Sequence, residues 1–145
     1  MKITLLCVGK LGAAPEAALA ADWAKRAGLV GRNLGLFPVD IIEVEAGKLL
    51  ARAGEARLIA CDERGTALAS RAFAEHLARL RDDGVAHVAF AIGGADGLEP
   101  AVRAAAAETL AFGPQTWPHA LARAMLAEQV YRATTILAGS PYHRD

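Results

Sequence analysis

What this sequence has little of narrows it before any motif is read. Only two cysteines occur in 145 residues, Cys7 and Cys61, each inside an apolar run. That is no disulfide framework, and no cluster of cysteine, histidine or carboxylate shows metal-ligand spacing. Reduced core thiols and chemistry without a metal are expected. No apolar stretch approaches the roughly 18 residues that span a bilayer, and Met1-Lys2 leads straight into strand-like residues, with no room for a signal peptide. The expectation is a cytoplasmic protein with no membrane partner. Charge excess is missing too: Lys and Arg total 16, and so do Asp and Glu. A non-specific nucleic-acid binder takes its affinity from phosphate neutralisation and shows a basic surplus. A balanced chain has to recognise any nucleic acid through its shape and a local patch. Charged residues are 22% of the chain against 54% hydrophobic, which excludes disorder and lets residues 1–145 form one domain with a real core.

What is present alternates strand and helix. Strands are predicted at Lys2–Val8, Val39–Val44, Leu58–Cys61 and Val88–Ile92. Helices are predicted at Pro15–Ala27, from Lys48 to about Ala56, at Thr66–Asp83, at Pro100–Leu110, and from Pro118 to the Gly139-Ser140-Pro141 break. Gly28–Gly35 reads as a connection and Phe112–Trp117 as a loop or short fifth strand. In the last helix Ala122, Leu126, Val130, Ala133 and Leu137 recur at helical spacing and form an apolar stripe. Leu121 and Met125 add apolar surface beside it, which predicts a twofold homodimer through this helix. The fold class is therefore α/β, a mostly parallel sheet with helices on both faces.

The stretch that organises the chain is Val88–Ile92 running into Gly93-Gly94-Ala95-Asp96-Gly97. A strand that ends in a glycine turn is where open α/β sheets place ligands. Gly93 and Gly94 can take positive φ and let a ligand lie against bare backbone. The same turn also serves as a plain strand-to-helix connection. Neither the dinucleotide fingerprint nor a P-loop is present, and no Ser-His-Asp or Cys-His-Asn arrangement can be assembled. His76 and His87 read as surface or boundary residues, and His119 as a residue capping or lining a nearby pocket. Glu128 and Arg132 read equally as an ion pair or as site residues. The tail after the last helix concentrates chemistry: Pro141-Tyr142-His143-Arg144 sets an aromatic ring, a titratable imidazole and a guanidinium side by side.

Several segments together carry a resemblance: Phe90–Leu98, Trp117-Pro118-His119, Arg123, Glu128–Ala133 and Pro141–Arg144. With Gly9-Lys10 and Ala46-Gly47-Lys48, they resemble the RlmH family, small SPOUT-class enzymes that methylate N3 of a pseudouridine in large-subunit ribosomal RNA. The resemblance spans the chain, and the segment after Lys48 is shorter than is usual in the family. It implies a C-terminal trefoil knot, a homodimer, and S-adenosylmethionine bound in the knot as co-substrate. By motif, the cofactor wall would be Cys61, Gly93 and the loop Phe112, Gly113, Pro114, Gln115, Thr116 and Trp117. The tail would then be catalytic. Arg144 would stabilise the anion developing on the base, Tyr142 would stack on or bond to it, and His143 would accept a proton. The partner implied is ribosomal RNA in the large subunit or whole ribosome, and balanced charge favours the assembled particle. Two other readings use less of the sequence. One is a non-catalytic ribosome-associated module of the same fold; the other is a generic nucleotide- or flavin-binding protein. Neither requires the Tyr-His-Arg terminus.

Overall fold

A computed structural model describes residues 1–144. The elements follow in the order β1 (Lys2–Val8), α1 (Pro15–Gly31), β2 (Val39–Val44), α2 (Leu49–Ala53), β3 (Arg57–Ala67), α3 (Ser70–Asp82), β4 (His87–Ile92), α4 (Pro100–Ala105), β5 (Glu108–Ala111) and α5 (His119–Ala138). Single 3₁₀ turns follow α1 and α5, at Arg32–Leu34 and Pro141–His143. All five strands are parallel, in the order β2-β1-β4-β3-β5.

Strand alternation divides the core in two. On one face Ile3, Leu5 and Cys7 of β1, Val88, Phe90 and Ile92 of β4, and Ile59 of β3 pack against α1, α3 and α5. On the other, Leu6, Leu58, Ala60, Ala89 and Ala91 meet only the short helices α2 and α4, through Leu49, Ala53 and Val102. Helices do cover both faces, but one layer is thick and the other thin. The long α5 lies in the thick layer and buries Leu126, Val130 and Ala133 of the predicted stripe. Thr134 and Thr135 are also buried there, their hydroxyls donating to the carbonyls three residues back at 2.6 and 2.7 Å.

Four boundaries differ from the sequence pattern. Helix α1 runs on through Gly28 and Gly31 rather than ending at Ala27. Gly31 lies so close to Leu36 that a Cβ would run into its backbone carbonyl; close packing here outweighs the roughly 1 kcal/mol helical cost of a glycine. Strand β3 extends past Cys61, bulges over Asp62–Gly65, and resumes with Thr66 and Ala67 against Leu110 and Ala111. Thr66 and Ala67 are therefore strand, and Leu68 is exposed before α3 begins at Ser70. Gly65 permits the bulge, because a Cβ there would lie 2.7–2.8 Å from the backbone of Thr109 and Leu110. Finally, α4 stops at Ala105 and the fifth strand is Glu108–Ala111, not Phe112–Trp117. Alanine favours helix there, but burial of Leu110 and Ala111 on the sheet edge overrides that propensity.

Candidate cofactor cavity and the C-terminal tail

A cavity of about 640 Å³ opens at the carboxyl ends of β3, β4 and β5. The sequence-predicted residues Cys61, Gly93, Phe112, Gln115, Thr116 and Trp117 all line it. Gly113 and Pro114 lie in the same loop without lining the cavity; Gly113 shapes it by taking φ 91°. The loop is tied at both ends. The Trp117 indole N–H donates to the Phe112 carbonyl at 3.1 Å, and the Thr116 hydroxyl donates to the Glu63 carboxylate on the β3 bulge. Burial pushes the Cys61 thiol up, so this position of the wall carries no charge, while Asp62, Glu63, Arg64 and Arg103 line the same cavity.

The glycine turn is built differently from the sequence expectation. Gly97, not Gly93 or Gly94, takes positive φ, at 77°, and its N–H donates back to the Gly94 carbonyl at 3.0 Å. A Cβ on Gly93 would stand 2.6 Å from the Leu98 nitrogen. The turn itself demands Gly93, before any ligand does. A Cβ on Gly94 would make only ordinary contact with Val8, at 3.5 Å.

Three wall residues, Asp62, Glu63 and Arg64, lie just past the predicted strand end at Cys61 and have no predicted role. Arg64 binds Asp62 through its backbone N–H at 2.9 Å and its side chain at 3.0 and 3.2 Å. These bonds hold the Asp62 carboxyl down at about 2. Arg103 joins Asp62 at 3.4 Å and the Leu98 carbonyl at 2.9 Å, fastening the glycine turn to the end of β3. Their signal was the odd placement of three charges beside a strand that delivers Cys61.

His119, at the start of α5, stands where this cavity meets a second one. Four residues on, Arg123 is 3% exposed. It pairs with Glu43 at 2.6 Å and donates to the Gly9 carbonyl at 3.3 Å. Glu43 also accepts the Leu11 N–H at 2.9 Å, and the Arg123 bond holds its carboxyl below the usual range. Arg123 therefore clamps the loop after β1 to the end of β2.

The tail lines neither cavity. Tyr142 packs on Tyr131 and Trp23, with ring centroids 4.8 and 5.8 Å away, and its hydroxyl donates to Glu128 at 2.9 Å. Arg132 pairs with Glu128 at 2.6 Å, lies 5.0 Å over the Tyr142 ring, and donates to the His143 carbonyl at 3.4 Å. Glu128 and Arg132 thus form an ion pair that seats the tail. Burial, then the Glu128 bond, pushes the Tyr142 phenol up. Arg144 is exposed, with φ 54°. A half-buried aromatic cluster holds the tail in place. The seat at Glu128 is about 14 Å along α5 from His119, at the helical rise of roughly 1.5 Å per residue, so within one chain the tail and this cavity are apart.

Residues 1–143 match a family model described as "Predicted SPOUT methyltransferase". The chain is 64% identical over 155 aligned positions to the ribosomal RNA large subunit methyltransferase H of Caulobacter vibrioides, covering 100% of this chain and 99% of that one. It is 58% identical to the protein of the same name from Phenylobacterium zucineum, covering 100% of both. The alignment with the Caulobacter protein is longer than this chain of 145 residues, so the relative carries residues absent here. Among solved structures, a probable methylase family protein from Haemophilus influenzae has TM-score 0.53 at 12% identity, over 99% of this chain and 70% of that one. A probable methyltransferase from Bordetella pertussis has TM-score 0.50 at 15% identity, over 92% and 95%. At those identities the two structures speak to the fold alone.

Proposed function

The chain belongs to the SPOUT methyltransferase family, and on that footing we infer that it methylates N3 of a pseudouridine in large-subunit ribosomal RNA, using S-adenosylmethionine. The observation that carries the reading is full-length likeness, at 64% identity, to a protein named for methylating that RNA. The cavity at the strand ends supports the cofactor. Its size is within the range of small-molecule sites. Backbone from Gly93 and the Phe112–Trp117 loop can read an adenine edge, while the neutral Cys61 side chain suits its face. Bound there, the cofactor supplies an electrophilic methyl group on a sulfonium centre.

The acceptor is an imide nitrogen, weakly nucleophilic until its proton leaves. The nitrogen then forms its bond to carbon as the sulfur–carbon bond breaks, and two opposite charges vanish. Arg144, exposed and free of the aromatic cluster, is suited to hold negative charge on the base; Tyr142 would stack on the base only by exchanging its contact with Arg132 for it, and His143 is the acceptor for the proton. Because the tail is seated away from its own cavity, the site is completed by a second copy of the chain. A twofold dimer makes two such composite sites, and Leu121, 41% exposed on α5, supplies apolar surface for it. The single domain with a C-terminal trefoil knot belongs to the same reading. Support comes from β4 lying between β1 and β3 and from the loops after β3, β4 and β5 meeting at one cavity. Action on ribosomes makes the protein cytoplasmic; among the described residues no helix is long and apolar enough to cross a membrane.

The test is transfer of labelled methyl from S-adenosylmethionine to ribosomes lacking the modification, with the product nucleoside identified. N3-methylated pseudouridine at one position is expected. Binding of ribosomes with no transfer would favour a non-catalytic module of this fold.

A further inference from the structure

Beside the cofactor cavity, across the Gly94–Gly97 turn, lies a second cavity of about 520 Å³ at the carboxyl ends of β1 and β2. The two share the turn, Leu98 and His119 as a common wall. Group transfer needs donor and acceptor in contact, so the space adjoining the cofactor cavity is where an acceptor has to sit. The chemistry of the second cavity says which part of the acceptor fits. Its floor is apolar, with Val8, Leu49 and Val102. No lysine or arginine lines it, so it offers nothing to a phosphate. Its charged lining groups are the carboxylates of Asp96 and Glu99, which take no hydrogen bond or ion pair from the described residues. Glu99 reaches across the mouth, its Oε1 3.9 Å from where a Cβ on Gly47 would lie. An apolar slot with hydrogen-bond acceptors at its rim suits a flat, uncharged ring that presents N–H groups.

We propose that this second cavity receives the flipped target base: a neutral imide pyrimidine whose face lies on Val8, Leu49 and Val102 and whose N1–H turns to Asp96 and Glu99, leaving N3 on the side of the shared wall and the cofactor cavity. The inference rests on the methyltransferase reading above and adds to it the place and polarity of the acceptor pocket. Taking a base out of the stack into such a slot costs its stacking on the neighbouring bases, which the burial of its face offsets.

The experiment fills the slot. Leu50 and Ala46 line the cavity and are exposed, so Leu50→Trp and Ala46→Trp put an indole in it without touching the core. The probe is pseudouridine nucleoside with protein saturated with S-adenosylhomocysteine, read by saturation-transfer NMR on the ring proton. Wild-type protein should give a ring signal. Both variants should lose it, with S-adenosylhomocysteine affinity changed less than twofold and ribosome methylation at least 100-fold slower. No ring signal with wild type, or an equal signal in both variants, overturns the assignment. Loss of S-adenosylhomocysteine binding in both variants overturns it as well, by giving the cavity to the cofactor. A wild-type ring signal lost in the variants, without methyl transfer to ribosomes by wild type, would keep the pocket and remove the activity proposed above.

Discussion

The two ends of α5 are built by different means. Its amino end meets a cavity whose shape is set by main-chain turns: the glycine turn, the Phe112–Trp117 loop with Gly113 at positive φ, and the β3 bulge that Gly65 permits. Its carboxyl half carries a cluster of side chains, with Trp23, Tyr131 and Tyr142 in contact and Glu128 held between Arg132 and the Tyr142 hydroxyl. Main chain fixes shape and tolerates little substitution where atoms nearly touch. A side-chain cluster can be edited residue by residue, each change removing a known contact. The first keeps one cavity shape, and the second holds a tail through contacts that can be removed singly.

The largest effect expected is at the side-chain end. Truncation after Ser140 should lower methyl transfer at least 100-fold and leave S-adenosylmethionine affinity within twofold, by calorimetry. It should also cost about 2 kcal/mol of stability, because Tyr142 leaves a packed aromatic cluster. Arg144→Lys separates the two consequences. Arg144 is exposed and belongs to none of the ring contacts, so its replacement should slow turnover roughly tenfold or more by losing the planar fork, with an unchanged melting temperature. Full activity of the truncated protein would remove the tail from the site.

The main-chain end breaks by another route. Gly93→Ala should destabilise by about 2 kcal/mol, an overpacking cost, since its Cβ would collide with the Gly97–Leu98 backbone. Gly94→Ala should cost less than half as much, its Cβ meeting only Val8 at ordinary distance. Urea titrations of the two variants measure the difference. Equal midpoints would mean that the turn relaxes freely and that the main chain is not the rigid partner in the comparison. A smaller effect is expected at Thr116, whose hydroxyl ties the cofactor loop to Glu63. Thr116→Val removes one hydrogen bond of about 1 kcal/mol, and should weaken S-adenosylmethionine binding roughly fivefold with little change in unfolding.

How much of this was legible depends on which means built it. Side-chain patterning announced the strands β1, β2 and β4 and the whole of α5, because apolar period and helix stop signals agree there. Family motifs rather than periodicity singled out Cys61 and the loop 112–117, and of these Cys61, Phe112, Gln115, Thr116 and Trp117 line one cavity while Gly113 and Pro114 do not. The geometry at the main-chain end was not legible. The bulge at Asp62–Gly65, the short α4 and the strand at Glu108–Ala111 come from backbone pairing across the sheet, which local propensity in an alanine-rich stretch contradicts. Gly93 was read for a ligand alone, whereas its own turn requires a glycine there as well. The seating of the tail was missed for a related reason: Trp23 lies more than a hundred residues from Tyr142, and only the packing of α1 on α5 brings them together.

The smallest effect lies where main chain and side chains meet, at Asp62 on the β3 bulge. Arg64 and, more distantly, Arg103 hold its carboxyl at about 2, below the ordinary 3.8. The direction of the pH effect follows from that depression. Folded protein binds the proton less readily than unfolded chain, so the stability this group contributes is fully present above about pH 4 and is lost as pH falls towards 2. Asp62→Asn should therefore flatten the acid limb of the stability curve between roughly pH 4 and 2 and leave its slope near neutrality unchanged. Arg64 is largely exposed, so solvent screens its share of the interaction; Arg103→Gln should reproduce only part of the flattening. The readout is the urea midpoint followed against pH for wild type and both variants. Parallel curves would mean that the charges of the bulge are held by the fold without contributing to it, and the amino end of α5 would then rest on main chain alone.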